Sequence, residues 1–215
     1  MRPERNLVWL ARIARVFTAP FVRYDIRGGR CATELSVGVI AVNHRSMFDV
    51  VAGLVCLHHF GHHPRLLIER KYVEGKWTAP FARAIGAIPV DRVKGGGTSV
   101  EAALSALRNG IPIVVLPEGK LHHDLHDPRS VGPTRTGVSR LAVGAQVPVV
   151  AAALGGTADV MPPHARLPRL NPFRRKHVIC NVADEPIWLI GDDHRANTDR
   201  VMADVQRLLI LPSET

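Results

Sequence analysis

Three short, continuous apolar runs constrain this chain more than any other feature. They are SVGVIAVN (36 to 43), IPIVVLPEG (111 to 119) and VPVVAAAL (147 to 154). Runs of this length, rich in Val and Ile and ending in turn or polar residues, read as strands buried on both faces. Longer segments with helical spacing separate them, and the alternation predicts an α/β fold: a mixed, mostly parallel sheet covered by helices.

The remaining segments fit that plan. FVRYDIRG (21 to 28) reads as an edge strand, RLLIERK (65 to 71) and AIPVDR (87 to 92) as short strands, and HVICNVADEPI (177 to 187) as a further one. Helices are expected at MFDVVAGLVCLHHF (47 to 60), WTAPFARAIG (77 to 86), RTGVSRLAVGA (135 to 145) and DRVMADVQRLLI (199 to 210). KGGGTSVEAALSALRNG (94 to 110) reads as a Gly-rich loop and a helix, with Thr98 and Glu101 as a capping box and Gly110 as the stop. MPPHARLPRLNPFRRK (161 to 176) is a Pro- and Arg-rich surface loop. At 215 residues and 46% hydrophobic, the chain is long enough for one α/β domain, expected over 21 to 215.

Residues 1 to 20 form a separate expected unit. In RNLVWLARIARVFT (5 to 18), Leu7, Leu10, Ile13, Ala14 and Phe17 share one arc at about 100° per residue. Arg5, Arg12 and Arg15 fall on the other side, and Trp9 lies near the border. Two readings stand side by side: a basic amphipathic helix at a membrane interface, or a surface helix packed on the core.

The formal net charge of +9 favours anionic partners, whether polyanions, an anionic leaflet or phosphate-bearing substrates. Aromatics are only 5% of the chain and no basic stretch is interleaved with them, which argues against nucleic acid. Cys31, Cys56 and Cys180 are odd in number and far apart, so neither a disulfide framework nor a structural zinc site is expected, and a reducing compartment is. No apolar run approaches the roughly 20 residues needed to span a bilayer, and the N-terminus does not read as a signal peptide.

Polar clusters gather where the strands end. NHRSMFD follows the first apolar run, Arg92 ends AIPVDR, and LPEGK follows the run ending at Leu116. Ligands of α/β folds collect at the carboxyl ends of strands, so His44, Asp49, Arg92, Glu118 and Gly119 are expected to share one cleft. A neutral imidazole held by a carboxylate is a general base. Five residues of regular helix would place His44 and Asp49 about 140° apart. The pair therefore requires His44 in the loop and Asp49 in the first turn, with Ser46 as N-cap. The competing reading is an ordinary helix start, Ser46 capping and Asp49 at the positive end of the dipole. Ser139 lacks the second Gly of a nucleophile elbow, and KGGGTS is not a P-loop.

Taken together, the blocks resemble the glycerolipid acyltransferases, the lysophosphatidic acid (PlsC-type) acyltransferase family. Asn43, His44 and Asp49 stand as N-H-x-x-x-x-D. GAIPVDR, LPEG and VPVVAAAL are similar to the second, third and fourth signatures, in order, from about residue 24 to 154. The resemblance implies transfer of a fatty acyl group from acyl-CoA or acyl-carrier protein to a hydroxyl of a lysophospholipid-like acceptor, with 1-acyl-glycerol-3-phosphate the first expectation. By the same resemblance His44 is the general base, Asp49 orients it, and attack is direct, without an acyl-enzyme. Arg92, Glu118, Gly119 and Lys71 would bind the acceptor, and no metal or other cofactor is needed. Lys120 and Leu121 replace the family's usual Thr and Arg, so Lys120 or Arg135 is expected to compensate, and another polar-lipid acceptor stays open. Arg45 is a further substrate-side candidate. Such acceptors reside in membranes, so the resemblance places the protein peripherally on the cytoplasmic face, with Leu7, Trp9, Leu10, Ile13 and Phe17 meeting the lipid.

Two other classes remain. His58/His62 and His59/His63 have i, i+4 ligand spacing, and LHHDLHD adds His122, His123, Asp124, His126 and Asp127, as a metal-dependent hydrolase would use. Gly61 and Pro64 mark a fraying helix end, which favours solvated loop histidines instead. A non-enzymatic membrane-binding protein would need only the basic helix and surface charge.

Overall fold

In the computed structural model, residues 3–28, 30–34, 37–76, 78–91, 97–121, 131–165 and 167–210 are described. In chain order the elements are α1 (Pro3–Thr18), β1 (Val22–Gly28), α2 (Arg30–Glu34), β2 (Val39–Val42), α3 (Asp49–His59), β3 (Arg65–Glu69), α4 (Arg70–Val73) and α5 (Ala79–Ala84). They continue with β4 (Ile88–Val90), α6 (Gly97–Arg108), β5 (Ile113–Val115), α7 (Gly137–Ala145), β6 (Val149–Gly155), α8 (Thr157–Val160), β7 (Lys176–Val182) and α9 (His194–Leu208).

The strands make one sheet in the order β1-β7-β6-β2-β5-β3-β4. Every neighbouring pair is parallel except β6 with β7, so the sheet is mixed and mostly parallel, as expected. Its centre is apolar on both faces. Val39, Ala41, Ile113, Val115, Val149 and Ala151 join a core with α6, α7 and α9. The alternate residues Ile40, Val114 and Ala152 face Leu7 and Ala11 of α1 and Leu54 of α3. Two covering layers are why these strands carry continuous rather than alternating hydrophobicity.

Several boundaries differ from expectation. The one-turn helices α4 and α8 and the five-residue α2 are too short to show a period. The terminal helix starts at His194 rather than 199, where the Asp193 side chain accepts the Ala196 N–H at 2.9 Å. Thr98 lies inside α6 rather than at its cap.

The N-terminal helix corrects a larger expectation. α1 packs on α3 and α5. Leu7 is 2% exposed and Ala11 is wholly buried, while Leu10 packs against the same core. Leu7 therefore belongs to the protein interior and not to a lipid boundary, and Leu10 and Ile13 are only partly accessible. The apolar side chains that α1 leaves outside are Trp9 (64% exposed), Val16 and Phe17 (72%). They share that surface with Arg5, Arg12 and Arg15. Among the described residues, no helix is long and apolar enough to cross a membrane.

Candidate active site

β2 lies between β5 and β6, and all three run parallel; the chain leaves β2 through α3 on one face toward β3, and leaves β5 through α7 on the other face toward β6. That switch point opens a crevice beyond the carboxyl ends of the strands. Asn43, the first residue after β2, is fully buried and bonds to β6 in both directions. Its Nδ2 donates to the Leu154 carbonyl at 3.0 Å, and its Oδ1 accepts the Leu154 N–H at 2.8 Å. The amide extends the ladder by one side chain and aims the next residue, His44, into the crevice.

His44 Nδ1 lies 3.0 Å from Asp49 Oδ2. The same Oδ2 accepts the main-chain N–H of Arg45 at 2.7 Å and of Ser46 at 2.8 Å. A carboxylate oxygen only accepts, so the proton of that contact sits on Nδ1, and Nε2 is left as the ring's acceptor. The local turn follows from Ser46, whose Oγ accepts the Phe48 N–H at 3.0 Å and donates to the Met161 carbonyl at 2.6 Å. α3 begins at Asp49 with Phe48 at its N-cap position and no side-chain cap bond, so Ser46 is not the expected N-cap. Asp49 reaching back to the Ser46 N–H, with Ser46 Oγ taking the Phe48 N–H, instead shapes the turn that leads into the helix, and that turn is what brings Asp49 to His44. Asp49 is only 3% exposed, and its Oδ1 has no protein partner.

Glu118 joins the second strand end to the first. Its Oε1 accepts the His44 main-chain N–H at 2.8 Å, and its Oε2 accepts the Gly132 N–H at 3.0 Å. The side chain is buried and lines neither cavity at this edge. Its observed work is to hold the His44 loop rather than to face the cleft. Next to it, Gly119 has φ of +69°, a left-handed conformation that a side chain disfavours. The Arg135 side chain packs over it, so a Cβ there would sit 3.4 Å from Arg135 Cδ.

The crevice is a cleft of about 650 Å³ whose lining includes His44, Lys71, Tyr72, Gly119, Lys120 and Pro163. Lys71 pairs with Glu69 at 3.0 Å and lies over the Tyr72 ring at 4.9 Å. A neighbouring cavity of about 280 Å³ shares Gly119 and is lined by Asp91, Arg135 and Arg140. Arg135 therefore stands on the other side of Gly119 from His44. The Arg45 main-chain N–H serves Asp49, while its side chain is not among those lining the cleft. Arg92 lies outside the described residues.

Behind His44 an apolar cavity of about 70 Å³ runs between α3 and the sheet, from Asp49 past Gly53 and Cys56 to Phe60. The Cys180 hydrogen bond and then burial push the Cys56 thiol well above its ordinary range, which keeps it protonated. Ser139, also buried, bonds to His194 Nδ1 at 3.1 Å and ties α7 to α9. Among the described residues no three His, Cys, Asp or Glu side chains group as metal ligands. His122, His123, Asp124, His126 and Asp127 lie outside the described residues.

Asn43 and Glu118 have structural roles that local sequence did not assign. The one local sign was an Asn set directly against the end of an apolar strand.

Comparison with known proteins bears on the family and the fold. The profile of the family described as Acyltransferase matches residues 25–155. The 1-acyl-sn-glycerol-3-phosphate acyltransferase of Bacillus subtilis is 28% identical over 123 residues, 56% of this chain and 57% of that protein. The match thus spans little more than half of the relative's length. The crystal structure of the 1-acyl-sn-glycerophosphate (LPA) acyltransferase from Thermotoga maritima superposes with a TM-score of 0.70 at 18% identity, covering 95% of this chain and 77% of that one. At that identity the superposition shows the shared fold. With the profile covering more than half of its length, from β1 through β6, the chain belongs to the acyltransferase family.

Proposed function

We propose that this protein transfers a fatty acyl group from a thioester, acyl-CoA or acyl-carrier protein, to a hydroxyl of a lysophospholipid-like acceptor. The names of its relatives favour 1-acyl-glycerol-3-phosphate as that acceptor. The observation that carries the reading is the 3.0 Å contact of His44 Nδ1 with a buried Asp49 whose other donors are main-chain amides.

In this mechanism His44 Nε2 takes the proton of the acceptor hydroxyl as its oxygen attacks the thioester carbonyl carbon. Asp49 holds the ring in the tautomer that leaves Nε2 basic, and it stabilises the imidazolium that forms. The tetrahedral adduct collapses with cleavage of the C–S bond, and Nε2–H returns the proton to the leaving thiolate. The buried, protonated Cys56 and Ser139 give no reason to invoke an acyl-enzyme. Lys71 and Lys120 at the cleft, with Arg135 in the adjoining cavity, supply cationic partners for an acceptor phosphate. Gly119 permits close approach of the main chain. Glu118, earlier expected among the acceptor ligands, serves as a positioning residue. The apolar cavity along α3 has room for only a few methylene groups as it stands, enough for one end of an acyl chain, and the donor is a co-substrate rather than a bound cofactor.

Acceptors of this kind are bilayer lipids, so we place the protein peripherally on the cytoplasmic face, with Trp9 and Phe17 of α1 at the lipid. A panel of thioester donors and lysolipid acceptors, run with wild type and His44→Ala and read by mass spectrometry of the lipid products, tests the reaction and names the acceptor. A wild type that forms no acylated lipid with any pair would overturn it.

A further inference from the structure

The segment from Met161 to Lys176 carries an apolar surface that the fold does not use. Phe173 is 95% exposed, Leu167 is 78% exposed, and Leu170 is also accessible. Arg169, Arg174 and Arg175 are exposed among them. Large side chains left this bare in a contiguous stretch mark a contact site rather than scattered surface hydrophobes. The tip has fixed geometry. Asn171 Oδ1 accepts the Phe173 N–H at 2.9 Å, Arg169 N–H donates to the Val160 carbonyl at 2.7 Å, and prolines stand at 162, 163, 168 and 172. Such a loop presents Phe173 outward with little ordering left to do on contact.

Topology puts this loop beside the cleft. β7 is antiparallel to β6, with Gly155 opposite Ile179. The chain entering β7 at Lys176 therefore lies beyond the carboxyl end of β6, at the edge of the sheet where His44 sits. The near end of the loop is part of the site itself, since Met161 accepts from Ser46 and Pro163 lines the cleft. The far end meets the turn after α1: Lys176 N–H donates to the Phe21 carbonyl at 2.8 Å, and Arg175 Nη2 to the Val22 carbonyl at 3.2 Å. Val16 and Phe17 leave α1 just before that turn, exposed and next to Arg15.

We propose that the 161–176 loop is a second membrane-docking element. With the end of α1 it forms one basic, apolar-tipped face that seats the mouth of the His44 cleft on an anionic bilayer. The assignment of a bilayer as the partner rests on the acyltransferase reading above and on charge. Apolar tips interleaved with arginines match an acyl boundary beneath anionic headgroups, and the position beside the mouth of a cleft that takes a lipid acceptor favours a bilayer over a protein partner. The loop would bring the acceptor hydroxyl to His44 without lifting the lipid fully from its leaflet.

The test is flotation of the full chain with phosphatidylcholine vesicles, with and without phosphatidylglycerol. Leu167→Ser with Phe173→Ser should lower partitioning onto the anionic vesicles at least about tenfold, with melting temperature unchanged because both side chains are exposed. Phe173→Trp should keep it. Arg174→Ser should weaken binding roughly fivefold. Unchanged partitioning of the double Ser variant overturns the proposal. Loss with Arg174→Ser but not with the double Ser variant also overturns it, leaving a plain polyanion contact. Acyl transfer measured in detergent micelles separates this idea from the underlying one. The double Ser variant should match wild type there, whereas a wild type inactive in micelles contradicts the reaction and leaves the vesicle result standing alone.

Discussion

The carboxylate of Glu118, at the end of β5, accepts the main-chain N–H of His44, at the end of β2, at 2.8 Å. Two residues 74 positions apart are thereby locked into one edge of the sheet. The His44 ring is aimed by its own main chain, which Glu118 and Asn43 both fix, and its tautomer is set by Asp49. Glu118→Ala should cost about 1–3 kcal/mol for each buried donor it abandons. Activity should fall through kcat more than KM, since His44 loses its place and the cleft keeps its lining. Glu118→Gln, which preserves one acceptor, should fall between. A Glu118→Ala variant with raised KM and normal kcat would instead make Glu118 an acceptor ligand.

Asp49→Asn removes the charge but keeps an oxygen at the Oδ2 position, because the Arg45 and Ser46 N–H groups both need an acceptor there. Nδ1–H keeps its partner and the ring its tautomer, while the imidazolium loses its counter-charge, so kcat should drop by about 10²–10³ with little change in KM. Asp49→Ala should also destabilise the fold by roughly 1–3 kcal/mol, because the Arg45 and Ser46 amides lose their partner. Steady-state kinetics and thermal melts on both variants check this.

Gly53 lies inside α3 and lines the apolar cavity, and a Cβ there would meet nothing within 4 Å. Gly53→Ala should stabilise the protein by about 0.5–1 kcal/mol by removing a helix-interior glycine. Gly53→Leu fills the cavity and should shift donor preference toward shorter acyl chains. Competition between donors of different length, read by mass spectrometry of products, decides it, and an unchanged preference would show that the acyl chain lies elsewhere.

The Cys56 thiol is held above its ordinary range by the Cys180 hydrogen bond and by burial. The folded state therefore keeps a proton that the unfolded chain gives up near pH 8.5. This stabilisation is intact below that pH and is lost as pH rises above it. Native protein should resist alkylation at Cys56 at pH 8, and the thiol should react only on unfolding. Rapid labelling of native Cys56, seen by peptide mass spectrometry, would contradict this.

Much of the fold was readable because β2, β5 and β6 are sandwiched between helical layers, which forces continuous Val, Ile and Ala runs. The His44–Asp49 pair was readable because its geometry is local, made within one turn by Ser46 and two main-chain amides. What escaped is non-local. Nothing near Asn43 announces Leu154, and nothing near Glu118 announces His44 or Gly132. The arc on α1 was correctly periodic, yet periodicity does not say what covers it. α3 and α5 cover Leu7, and the exposed residues are those at its flank, Trp9, Val16 and Phe17. For that reason removing residues 1 to 18 would strip the core as well as any membrane contact. Leu7→Ala should cost about 2–5 kcal/mol, whereas Phe17→Ser should leave the melting temperature unchanged and weaken vesicle binding.

The most direct test of the central claim is the rate of CoA thiol release from an acyl-CoA in the presence of 1-acyl-glycerol-3-phosphate, for wild type and for His44→Ala with an unchanged melting temperature. The account predicts acceptor-dependent release by the wild type and a loss of at least about a thousandfold in the variant. Acceptor-dependent release by His44→Ala at a rate near that of the wild type would contradict it.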